Sequence, residues 1–174
     1  MKKLFTLPTW QIFILLIAPY FFPSDNLAVT ILTTIWALFF VYSVFLLGDS
    51  LFKKLPEGHD LKIKRFYFSL LFPAVYVIAV YILFPGGFEI NQNNYRAFGW
   101  WLLIILPFHL FAMFCIFYVI WFIAKSIATI ENNKVVGFDH YSGNFFLLWF
   151  YPIGIWFVHP KVRKIFSLDA KPSL

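Results

Sequence analysis

Charge and sulfur are scarce in this chain. Only 13% of its 174 residues are charged, and Cys115 is the single cysteine. One thiol excludes an intramolecular disulfide and any thiolate metal cluster. Acid is scarcer than base, with eight Asp and Glu against fourteen Lys and Arg, for a net charge of +6. The sequence has no Asn-x-Ser/Thr acceptor, Gly-x-Ser-x-Gly elbow, His-Glu-x-x-His pair, P-loop or dinucleotide fingerprint. The chain therefore reads as a non-enzyme that needs no cofactor and no metal.

Hydrocarbon takes the place of what is missing. Hydrophobic residues make up 61% of the chain and aromatic residues 24%, where a soluble domain carries roughly 45–50% apolar and about 25% charged residues. A chain this short could not hide so much apolar surface from water, so lipid is its solvent. Crossing a hydrocarbon core of about 30 Å takes roughly 20 helical residues. Four runs qualify, at residues 4–22, 27–52, 66–84 and 98–124. Pro23-Ser24-Asp25-Asn26 makes a turn after the first, and Pro85-Gly86-Gly87 ends the third. Met1-Lys2-Lys3 ahead of the first run is similar to the start of a signal peptide. No small-x-small cleavage site follows it, so the run reads as an uncleaved span. The expectation is one all-α integral membrane domain over residues 1–174.

Orientation follows from the basic residues. Lys2 and Lys3 precede the first run. Lys53, Lys54, Lys62, Lys64 and Arg65 lie between the second and third, and Lys125, Lys134, Lys161, Arg163, Lys164 and Lys171 follow the fourth. Only Arg96 falls on the other side. Cytoplasmic loops carry the Lys/Arg excess, which predicts an inner-membrane protein with both ends in the cytoplasm. The same clustering between apolar runs argues for topology, and nucleic acid is not an expected partner.

A fifth apolar run, residues 145–158, is too short to cross comfortably and contains Pro152 and Gly154. Crossing would also carry Lys161, Arg163 and Lys164 outside, so the run reads as interfacial or re-entrant, with a five-span chain as the alternative. Trp149 and Trp156 suit the headgroup region, and Lys161, Arg163 and Lys164 suit anionic lipid. The stretch Phe150-Tyr151-Pro152-Ile153-Gly154-Ile155-Trp156-Phe157, with its basic tail, resembles the ending of a family of small uncharacterised polytopic membrane proteins. Those chains close on a Phe/Tyr-Pro-Ile-Gly-Ile-Trp-Phe run. The resemblance covers about twenty residues and implies no activity.

Few polar features lie at depth. Thr30, Thr34, Ala37, Val41, Val44 and Gly48 recur at steps of four and three, which lines small residues along one helix face. Such seams let membrane helices approach closely, either within the chain or between subunits. Pro107 sits inside the fourth run and Pro73 inside the third, each removing one backbone bond and favouring a kink. His109, two residues after Pro107, has no other histidine, acid or base around it between residues 97 and 124. An imidazole there can hydrogen-bond a facing helix, relay protons or bind an ion. Asp49 lies near the cytoplasmic end of its run, within reach of Lys53 or Lys125. Residues 137–144 read as a polar turn capped by Asp139 or Ser142. Asp139, His140 and His159 have metal-ligand chemistry but no i, i+4 spacing. Asp139-His140-Tyr141 is similar in outline to the Asp-His-His-Cys signature of palmitoyltransferases, but the required cysteines are missing.

These features favour a protein that works by assembly, either with itself or as an accessory subunit of a membrane complex. Its expected partners are the lipid bilayer and another membrane protein or a second copy. The main alternative is an oligomeric channel, pore or membrane-disrupting defence effector of the kind that accompanies CRISPR or other antiviral systems. A proton- or ion-coupled transporter using His109 is the third reading.

Overall fold

The computed structural model describes residues 5, 7–21, 26–84 and 95–167. All regular structure among them is helical: α1 (Thr9–Ile17), a short 3-10 turn (Ala18–Phe21), α2 (Leu27–Phe52), α3 (Ile63–Leu83), α4 (Tyr95–Asn132), α5 (Phe138–Trp149) and α6 (Tyr151–Ser167). Three helices are long and apolar enough to cross a membrane: α2, α3, and α4 from Gly99 onward. Asn26 caps α2, its side-chain oxygen accepting from the Ala28 N–H at 2.9 Å. Gly58, at a φ of +82° in the connection to α3, occupies a left-handed turn position that favours glycine. The 38 residues of α4 extend about 57 Å, well beyond a hydrocarbon core. Its end is marked by Asn133 at a φ of +48°, a left-handed stop.

Four continuous spans plus one segment are not what forms. In the first expected run, 4–22, the helix over Thr9–Ile17 has only nine residues, about 14 Å of rise. Proline explains both limits: Pro8 stands at the N-cap, and Pro19 has no N–H to offer the carbonyl of Leu15. The fifth run is not a single segment. Residues 145–158 straddle the junction of α5 and α6, which meet at Phe150. The expected turn at 137–144 is mostly helix as well. Gly137 takes the N-cap without a side-chain bond, and Ser142 Oγ donates to the Asp139 carbonyl at 3.4 Å.

The residues group into two compact units, one holding Lys62–Val119 and the other the chain before and after it. In the first, α3 and α4 run antiparallel and meet ring to ring. Phe84 touches Trp101, Tyr76 touches His109, and Phe72 and Phe68 both touch Phe111. The other unit packs α1, α2, the C-terminal end of α4, and the α5–α6 hairpin. Its core is the stretch Phe122–Thr129 of α4, in which eight consecutive residues are buried. A helix buried all round must be covered on every face.

Candidate functional site

The larger unit encloses an apolar cavity. Pro19 leaves the Leu15 carbonyl of α1 without its helical donor, and the indole N–H of Trp36 on α2 donates to it at 2.7 Å. That bond holds α1 against α2 at the level of the cavity. Alongside, α1 runs antiparallel to α6: Phe5 stacks on Phe166, Thr9 meets His159, and Phe13 meets Trp156. Between these helices lies a space of about 140 Å³, partly open, whose surface is wholly apolar. Ile12, Leu15 and Leu16 line it from α1, Trp36 and Leu47 from α2, and Val158 and His159 from α6.

His159 is the polar group of consequence there. It is 6% exposed. Its Nδ1 lies 3.1 Å from Thr9 Oγ1, while Nε2 is buried without a hydrogen-bond partner among the described residues. A buried polar atom left unpaired costs about 1–3 kcal/mol, so this arrangement is held by its surroundings. Sequence reading weighed His159 only as a metal ligand and did not single out Thr9. The pairing joins residues 150 positions apart, and local pattern carries no signal for it.

Polar ties collect around the C-terminal part of α4 in this unit. Lys125, its side chain 9% exposed, bonds Asp60 at 2.6 Å and lies 5.3 Å from the centre of the Trp121 ring. The bond to Lys125 holds the Asp60 carboxyl below its ordinary range, against the opposing pull of partial desolvation. Lys161 donates to the buried Asn144 at 2.9 Å and lies 3.6 Å from Glu131, tying α6 to α5 and to the end of α4. Asp139 bonds His140 at 2.6 Å, and that bond lowers its carboxyl pKa. Asp139 and His140 thus pair with each other, and His159 pairs instead with Thr9.

The remaining residues singled out in the sequence are dispersed. Asp49 bonds Lys53 at 2.7 Å. Along the α2 seam, Thr30, Thr34 and Ala37 are exposed, Val41 and Val44 are half-buried, and Gly48 is buried. Thr34 Oγ1 donates to the Thr30 carbonyl at 2.8 Å, so its hydroxyl is satisfied within the helix. His109 and Pro107 are exposed on α4, and His109 Nδ1 lies 3.5 Å from Tyr76 OH. Trp149 and Trp156 are exposed near the hairpin junction, as are Arg163 and Lys164 on α6. The chain matches no protein-family model, no curated protein and no solved structure.

Proposed function

We propose that the chain is a non-enzymatic inner-membrane protein that works by assembly, and that α2 is the face on which it assembles. One observation carries this reading. Over the most apolar 18-residue window of α2, none of the helix is buried inside the chain, although small residues at Thr30, Thr34 and Ala37 would permit close approach by another helix. The side of α2 that lines the cavity uses Trp36, Phe39, Phe40, Ser43, Val44 and Leu47. Of the seam, only Val44 belongs to it. Thr30, Thr34 and Ala37 are exposed and face lipid or a partner.

The proposed topology keeps both ends in the cytoplasm, beside the basic segments. The first run makes its crossing as α1 and a 3-10 turn, a broken helix that is tolerable where it packs on protein. The α5–α6 hairpin enters from the cytoplasmic leaflet and returns. The resemblance to small polytopic proteins ending in Phe/Tyr-Pro-Ile-Gly-Ile-Trp-Phe agrees with this, since that run supplies the hairpin's turn.

Cysteine cross-linking in native membranes tests the assembly face. In a Cys115→Ser background, cysteines at Thr30, Thr34 and Ala37 should yield linked species, either two copies or one copy joined to a different subunit. Cysteines at Leu32 and Ile35, on the opposite side of the helix, should not. Unlinked monomer at all five positions would overturn the reading. Impermeant maleimide added to intact cells should label a cysteine at Asn26 and spare one at Gly58.

A further inference from the structure

The assembly reading makes no use of the cavity. From its chemistry we propose that it holds part of one acyl chain of an anionic amphiphile, with the charged end toward Arg163 and Lys164. An apolar cavity of this size stays dry and accepts an apolar guest. In a bilayer the guest always at hand is a hydrocarbon chain. A volume of about 140 Å³ takes a short stretch of chain, and the partly open side leaves room for the remainder outside.

Charge sets the polar end. Val162 and His159 line the cavity, whose surface is wholly apolar, so the cavity itself takes only hydrocarbon and the head lies outside it. One turn beyond His159 on α6 stands Arg163, exposed, with exposed Lys164 beside it. Lys161 is committed to Asn144 and Glu131, so among the described cations of α6 Arg163 and Lys164 are left to meet a negative head. A phospholipid and a free fatty acid share this chemistry.

Photolabelling of the full chain in phosphatidylcholine–phosphatidylglycerol vesicles separates the two sources. Trace diazirine-tailed phosphatidylglycerol, phosphatidylcholine and palmitate are used in parallel, and adducts are mapped by mass spectrometry. Phosphatidylglycerol adducts should concentrate severalfold on residues 36–47 and 155–162 over the exposed α3 face at Ile78 and Ile82. Ser43→Phe, which fills the cavity, should remove that excess and leave α3 labelling unchanged. For the wild-type chain, excess unlabelled phosphatidylglycerol should saturably displace the adducts. Concentration from palmitate alone would keep the site and make the fatty acid its source. Equal yield from phosphatidylcholine and phosphatidylglycerol would overturn the anionic assignment. Uniform labelling of cavity and α3 would overturn the site itself.

Discussion

The α5–α6 hairpin closes on backbone, and the α3–α4 hairpin closes on rings. In the first, a Cβ built on Gly154 would sit 1.7 Å from the Leu147 carbonyl oxygen, so the helices touch main chain to main chain. In the second, Phe111 is held edge-on by Phe72 at 4.7 Å between ring centres and tilted against Phe68 at 6.2 Å. Lipid tails are as apolar as phenylalanine, so burying rings between membrane helices gains little from the hydrophobic effect. What remains is dispersion and ring geometry, and neighbouring lipid offers much of that too. Close backbone approach is different, because only one residue type permits it. The chain thus pairs a hairpin with one strict position and a hairpin with many lenient ones.

The most direct way to break this comparison is to add one methyl group to each kind of site. Gly154→Ala places a carbon on the Leu147 backbone, which cannot rotate away. The expected loss is at or above about 3 kcal/mol, the upper end of ordinary overpacking costs. Gly143→Ala meets nothing within 4 Å and should be neutral or stabilising by about 0.5–1 kcal/mol. Thermal unfolding in one detergent reads both. A mild Gly154→Ala would mean that the two hairpins are alike.

Phe111→Leu is the matching change on the lenient side. It removes two ring pairs while keeping most of the apolar volume, at an expected cost of about 1–2 kcal/mol. Phe72→Leu removes three ring pairs, to Phe111, Phe68 and Tyr76, and should cost at least as much, measured in the same assay. A loss from Phe111→Leu as large as that from Gly154→Ala would make the ring contacts strict as well.

Legibility in the sequence divides along the same line. Helix α2 was readable to its ends, Leu27 and Phe52, because its apolar run is unbroken and flanked by Asn26 and Lys53. Helices α3 and α4 were readable in place, though α4 continues to Asn132 because polar residues can stay helical once they leave lipid. The first run does not form the one continuous helix expected of it, because its length counted for more than Pro8 and Pro19. Within residues 145–158, Pro152 and Gly154 were noticed as unfit for a span. Their real meaning is positional: Pro152 stands in the first turn of α6, where a missing N–H costs nothing, and Gly154 stands at the crossing. The cavity was not legible, because it is assembled from helices at both ends of the chain.

The two units also differ in their polar ties, and pH can sharpen that difference. Asp60 holds the buried Lys125 with a carboxyl whose pKa is lowered in the folded state. A lowered folded value contributes stability that is complete above the unfolded pKa of about 4 and is lost as pH falls through the folded one. Detergent-solubilised protein should therefore lose stability below about pH 4. Asp60→Asn should remove this group's share of the acid loss. Because Asp60 is 58% exposed at its side chain, its share at neutral pH should not exceed about 1 kcal/mol. An unchanged acid profile in Asp60→Asn would mean that other carboxylates carry the limb.

The smallest expected effect belongs to His109, a polar contact in the ring-closed hairpin. Its contact with Tyr76 is long, at 3.5 Å between Nδ1 and OH, and the rings are tilted at 5.9 Å between centres. Side-chain hydrogen bonds between membrane helices average about 0.6 kcal/mol, and a contact this long should not exceed that. His109→Leu and Tyr76→Phe should each cost about 0.6 kcal/mol or less. The double variant should cost no more than the larger single one, since both remove the same bond. His109→Gln should recover most of the loss, because an amide can still pair with the hydroxyl. A different outcome is informative: the imidazole is exposed on α4, so its free edge is available to a partner. If His109→Leu leaves thermal stability intact but abolishes cross-linking at Ala37, the histidine serves assembly, and the lenient hairpin is lenient because it meets a second chain.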